Sequence, residues 1–141
     1  MKLDDAQRIV STALATARAL SMKPLAVVVL DARGSLRALA AEDGTSLKRA
    51  EVAIGKAQGC LATGVGSRAL TRMATERPHF VAALTHAVGG SLIPVPGGVL
   101  VKDAAGEVLG AVGVSGDTSD NDEIAALAGI EAVGLKGDTG A

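Results

Sequence analysis

The chain has 141 residues, 48% hydrophobic and 21% charged, with a formal net charge of -1. Those totals place it among folded chains with a core of single-domain size, so one domain over residues 1–141 is expected and a disordered chain is excluded. Near-neutral charge without a basic cluster argues against a nucleic-acid surface, and apolar runs broken by Gly, Pro or charge are too short to cross a membrane.

The amino terminus, Met1-Lys2-Leu3-Asp4-Asp5, shows no basic segment leading into an apolar one, so a cytoplasmic location is expected. From Asp4 to Ser21, apolar residues recur every three or four positions (Ala6, Ile9, Val10, Ala13, Leu14, Ala17, Leu20), which predicts a helix with Asp4 or Asp5 as its cap. Pro24 ends it. Leu25 to Asp31 is a continuous apolar run and reads as a strand buried on both faces. Ala32-Arg33-Gly34-Ser35 then turns the chain into a paired strand over Leu36 to Ala41.

Ser46 is a plausible cap for a second helix from Leu47 to about Leu61, with Leu47, Ala50, Ala53, Ile54, Ala57 and Leu61 on one face. Gly55 and Gly59 lie four apart on that helix and predict a close packing partner, because glycine costs roughly 1 kcal/mol against alanine in a helix interior. Ser67 is expected to cap a third helix ending before Pro78, and residues 79–88 form a helical or loop segment. Ile93 to Val101 and Val108 to Ser115 read as an antiparallel hairpin around Lys102–Glu107. Ser119 or Asp120 would cap a last helix, Asn121 to Val133, with Ile124, Leu127, Ala128 and Ile130 inward, and Gly137 to Ala141 would fray. Strands grouped between grouped helices indicate an α+β fold with an antiparallel sheet.

Few residues carry chemistry. His79 and His86 are the only histidines, and Glu76-x-x-His79 has a carboxylate-site spacing that Pro78 interrupts, so an exposed or interface role stands beside a metal or haem ligand. Cys60, the single cysteine, excludes an internal disulfide and reads as a small buried hydrophobe, since a helix carboxyl end does not activate a thiol. Gly97-Gly98 permits either an anion held by backbone N–H groups or a bend against another backbone. Ser115-Gly116 closes the second hairpin strand, where Ser115 only superficially resembles a nucleophile. Asp117, Asp120, Asp122 and Glu123 suit the first turn of a helix. Lys56 lies among apolar and glycine neighbours, so its ammonium either meets a carboxylate or a ligand acid, or is simply solvated. One aromatic residue, Phe80, leaves a flat cofactor few stacking partners.

Lys56-Ala57, Pro96-Gly97-Gly98-Val99 and Gly110-Ala111-Val112-Gly113-Val114-Ser115-Gly116 leading to Asp122-Glu123, with the first helix and Leu25–Asp31, resemble the GlcG/HbpS family, which also supplies the carboxyl-terminal domain of PduO-type proteins. The chain departs from that pattern at Leu100, where a proline is frequent, and at Gly59, where a hydroxyl residue is frequent. The resemblance implies a profilin-like antiparallel sheet of about five strands flanked by helices, assembled into homo-oligomers, often octamers. It also implies haem or another small molecule as ligand. The expected pocket lies between Lys56, Gly97, Gly98, Ser115 and Gly116 and is shared across subunits. Two other readings stay open: a small catabolic enzyme acting on an organic acid with Lys56 and Asp122 as acid–base groups, and an oligomeric scaffold without ligand chemistry.

Overall fold

The computed structural model describes residues 1–141. Five helices and five strands follow in the order α1 (Leu3–Ala19), β1 (Ala26–Asp31), β2 (Leu36–Ala41), α2 (Arg49–Thr63), α3 (Ser67–Glu76), α4 (Pro78–Ala87), β3 (Gly98–Lys102), β4 (Val108–Ser115), α5 (Ser119–Ala132) and β5 (Lys136–Asp138). The strands form one antiparallel sheet in the order β2-β1-β4-β3-β5. This is the α+β, profilin-like arrangement.

Alternation along the strands divides the interior into two layers. Val27, Val29, Val99, Val101, Val112 and Val114 face α1 and α5. Ala26, Val28, Leu30, Leu100 and Ala111 face α2, where they meet Ala53, Ala57 and Cys60. Each fully buried valine or leucine contributes about 1.5–3 kcal/mol of transfer free energy, which explains why β1 reads as unbroken apolar sequence. The helices lie close because their contact residues are small. A Cβ on Gly129 of α5 would come 2.6 Å from the Ile9 carbonyl oxygen of α1. The expectation at Gly55 and Gly59 holds as well: added Cβ atoms would come 2.5 Å from Ile93 and 3.1 Å from Leu92, so the segment before β3 lies directly on α2. Phe80 stays outside the core, with the Arg77 guanidinium 4.2 Å above its ring.

Several helix starts differ from expectation. Lys2 and Lys48 occupy the cap positions of α1 and α2 without side-chain capping, so Asp4 and Asp5 act within the first turn and Ser46 stands outside α2. Leu47 is 89% exposed because α2 begins two residues after it. Ser67 is the first residue of α3, after Gly66, and its hydroxyl is used elsewhere. On α5 the cap is Thr118, whose Oγ1 accepts from the Asn121 N–H, and Ile124 points outward at 46% exposure. Residues 78–87 are helical, with Pro78 in the first turn where its missing N–H costs nothing.

The hairpin is shorter than its apolar run. Ile93 to Gly97 stay outside β3, since Pro94 and Pro96 cannot donate to a ladder. The carboxyl-terminal segment does not fray: residues 136–138 pair with β3 as an edge strand. Gly137 allows this, because a Cβ there would come 2.6 Å from Leu127 and 3.1 Å from Val99. The Thr139 carbonyl then accepts from the Arg68 N–H at 3.0 Å.

Candidate functional site

The residues singled out from sequence converge where α2, the end of β4 and the start of α5 meet. Lys56 extends from α2 beneath the sheet and donates to Asp122 Oδ2 at 3.0 Å and to the Val114 carbonyl at 2.9 Å. Asp122 sits one turn into α5, and its Oδ1 accepts from the Asp117 N–H at 3.0 Å. Exposure of the two residues is 2% and 1%, so this is a buried ion pair joining three elements. Burial dominates both titrations: it lowers the Lys56 pKa and raises that of Asp122, each against the pull of its partner.

Gly97 and Gly98 close over the pair. Gly97 has φ +115, and a Cβ there would come 2.9 Å from Lys56 Nζ and 2.7 Å from the Val114 carbonyl. At Gly98 it would come 2.5 Å from the Lys56 carbonyl and 2.9 Å from Cys60 Sγ. The bend against another backbone is therefore what these glycines provide. Ser67, expected from sequence only as a helix cap, holds the start of β3: its Oγ accepts from the Gly98 N–H at 2.8 Å and donates to the Gly98 carbonyl at 3.0 Å. The Cys60 thiol is buried, which pushes its pKa to about 12, far from any nucleophilic range.

Within the single chain these contacts leave no open recess among Lys56, Gly97, Gly98 and Ser115, where a pocket shared across subunits was expected. None of the three cavities is lined by Lys56, Asp122, Gly97, Gly98 or Ser115. The lysine stem fills the volume, and the missing Cβ atoms let the loop seal it. An acid–base role for Lys56 and Asp122 would require substrate to reach a pair that the chain encloses. Only Gly116 reaches an open depression, whose other walls include Lys23, Thr45, Ser46 and Arg49. Ser115 is fully buried beside it, its Oγ accepting from Arg49 Nη1 at 3.2 Å.

Asp117 fastens this corner from outside. Its carboxylate accepts from the Lys23 N–H, the Thr118 N–H and the Asn121 side chain at 2.7, 2.7 and 2.9 Å, and these bonds hold its pKa at about 2. A carboxyl depressed in the fold supplies stability that is complete above the ordinary value of 3.8 and lost as pH falls through about 2. Carbon-13 carboxyl titration should place the Asp117 midpoint near that lower value. A midpoint at the ordinary value would mean that the three hydrogen bonds are not held in solution.

No group of three or more His, Cys, Asp and Glu side chains is arranged to hold a metal ion. Glu76 and His79 lie on successive helices that part at Arg77. The largest cavity, about 390 Å3, is a groove between α1 and β2. Val10 and Leu14 of α1 and Ala38, Leu39 and Ala40 of β2 give it apolar walls, with Gln7 and Arg37 at its polar margin. Sequence periodicity could not mark this groove, because it exists only where two separately amphipathic elements meet.

The family model described as "Haem degrading protein HbpS-like" matches residues 1–131. No curated protein matches the chain. Among solved structures, a PduOC:heme complex is 22% identical with a TM-score of 0.85, covering 96% of each chain. Klebsiella pneumoniae protein ORFY is 21% identical with a TM-score of 0.85, over 95% of this chain and 90% of that one. A double mutant of Streptomyces reticuli HbpS is 22% identical with a TM-score of 0.81, over 94% of this chain and 86% of that one. At these identities the structures attest the fold, and the match over residues 1–131 attests the family. The chain belongs to the HbpS-like family.

Proposed function

We propose that the chain is a small-molecule-binding member of its family that works as a homo-oligomer and takes an amphipathic, haem-type macrocycle in the groove between α1 and β2. The observation that carries this reading is the groove itself. At about 390 Å3 it has the volume of a ligand site, and its walls suit the apolar face of a macrocycle. Arg37 at the margin makes no ion pair within the chain and is free to meet a peripheral carboxylate. The haem complex formed by the similarly folded PduOC supports the ligand class.

The fit covers the macrocycle and not its iron. No His, Cys or Met lines the groove, while His79 and His86 belong to α4, which packs on α3. The groove residues therefore do not fit an axially ligated haem, and no iron chemistry is assigned to them. The homo-oligomer is supported by β2, an edge strand bearing, outside the groove, the exposed Leu36 that a second copy would cover.

Parallel titrations with haem and with metal-free protoporphyrin test the reading. Both should bind with affinities within about tenfold of each other, and Leu14→Asp or Arg37→Glu should weaken both by about tenfold or more. His79→Ala and His86→Ala should leave the Soret band unchanged. Failure of both macrocycles to bind overturns the proposal. So does binding of haem alone with a Soret band lost in either histidine variant, which would move the ligand to α4.

A further inference from the structure

A second cavity, of about 200 Å3, lies at the opposite end of β1 from the turn at Gly34, and its chemistry is unlike that of the groove. Lys23, Gly44, Thr45, Ser46, Arg49 and Gly116 line it, and the Pro24 ring is its one apolar side chain. Such a polar hollow holds a handful of heavy atoms, since one water occupies about 30 Å3 of liquid volume.

Charge is the distinguishing feature. Neither Lys23 nor Arg49 forms an ion pair within the chain. Of the nearby carboxylates, Glu42 accepts from the Leu25 N–H and pairs with Arg18, and Asp117 accepts from the Lys23 and Thr118 N–H groups and the Asn121 side chain, while the exposed Asp43, next to Gly44, makes no ion pair. The half-buried Arg49 uses one guanidinium nitrogen on Ser115 Oγ, leaving its other donors unassigned. The Ser46 hydroxyl has no partner within the chain, whereas the Thr45 hydroxyl donates to the Glu42 carbonyl and keeps an acceptor lone pair.

The walls are fixed rather than incidental. Gly116 has φ +156, and a Cβ there would collide with the Pro24 carbonyl, so the end of β4 lies against the segment entering β1. Asp117 ties the same segment down through the Lys23 N–H. Arg49 is held from below by Ser115, which is fully buried. Arg49 acts on the buried Lys56 and helps to lower its pKa, a repulsion that an anion beside Arg49 would relieve, while the Lys23 charge acts on the Asp117 carboxylate.

From this cavity we infer that the chain has a second binding site, for a small oxyanion, a carboxylate or phosphate group of few heavy atoms, held between Arg49 and Lys23 with Ser46 as an additional donor. It is separate from the α1–β2 groove and does not depend on the ligand proposed there. A guanidinium donates two parallel hydrogen bonds to either group, and the ammonium supplies the second charge.

Calorimetric titration of the full chain with inorganic phosphate and with malonate tests the inference, at low ionic strength and with chloride as the reference anion. At least one probe should bind with a Kd near or below about 1 mM. Arg49→Gln should weaken that binding by about tenfold, and Lys23→Gln by severalfold. Lys136→Gln, on the edge strand β5, should leave it within about twofold. Preference for phosphate would assign a phosphoryl ligand, preference for malonate an organic acid, and equal binding the shared oxyanion chemistry. Absence of binding by both probes overturns the site. An equal loss in all three variants also does, because it would report general surface charge. Chemical-shift changes at Ser46 and Gly116 in the unaltered protein give a readout that does not rely on the variants folding.

Discussion

Gly113→Ala is expected to destabilise the protein by about 3 kcal/mol or more, at the upper end of what overpacking costs. The reason is the identity of the neighbour. A Cβ on Gly113 would collide with the Ala53 carbonyl oxygen and approach the Ala57 Cβ at 3.1 Å. Backbone cannot rotate away as a long side chain can, so α2 would have to lift from the sheet. That movement would also strain the packing of Lys56 and Cys60 over Gly98. Urea unfolding of the variant measures the loss, and Gly98→Ala should behave similarly for the same reason. A loss of less than about 1 kcal/mol would show that α2 does not seat directly on β4 in solution.

The second large effect concerns the buried pair. Lys56→Met leaves the Asp122 carboxylate enclosed without its cation, and Asp122→Leu strands the ammonium; each should cost about 3–5 kcal/mol. The double variant Lys56→Met/Asp122→Leu should recover most of that loss and equal or exceed the parent protein near neutral pH. The pKa directions lead to the same expectation. Asp122 is raised by burial, so the stability linked to its protonation is full below 3.8 and lost as pH rises through its higher folded value. Lys56 is lowered by burial, so its corresponding stability is full above 10.5 and lost as pH falls through its folded value. Burial thus works against the charged form of each group, while each partner draws the other toward it.

Recovery in the double variant would assign the pair to specificity of arrangement more than to net stability. The pair fixes where α2, β4 and α5 meet, and hence the position of Gly116 and Arg49. Stability curves of the two single variants and the double variant, recorded at several pH values, provide the measurement. Additive losses in the double variant would contradict the account, because they would mean that the two groups do not act on each other.

Much of the architecture was legible in order along the chain. Periodicity marked α1 and α2, an unbroken apolar run marked β1, and β2 was delimited to the residue, because burial writes itself into local hydrophobic pattern. The paired glycines of α2 announced a close neighbour before the segment that supplies it was known. Helix starts were less legible: Lys48 occupies the first position before α2 without capping it, although Ser46 had the better residue type, since the tertiary path of the chain overrode local capping preference. Residues 136–138 carry no strand pattern at all, and only the open edge of β3 recruits them.

The candidate site divides in the same way. Composition and residue pattern by themselves determined an antiparallel α+β fold with an aliphatic, alanine- and glycine-rich interior, and they pointed to Lys56, Gly97 and Gly98 as unusual, whereas Asp122 read as an ordinary first-turn carboxylate. Whether those residues enclose a ligand or enclose one another was a question of volume, and sequence does not specify volume. Tertiary packing decided it: 66 residues separate Lys56 from Asp122, yet their charged atoms lie 3.0 Å apart with no open space beside them. Two of the three hollows, one apolar between α1 and β2 and one cationic beside Gly116, are made by surfaces distant in the chain, so only the folded molecule could reveal them.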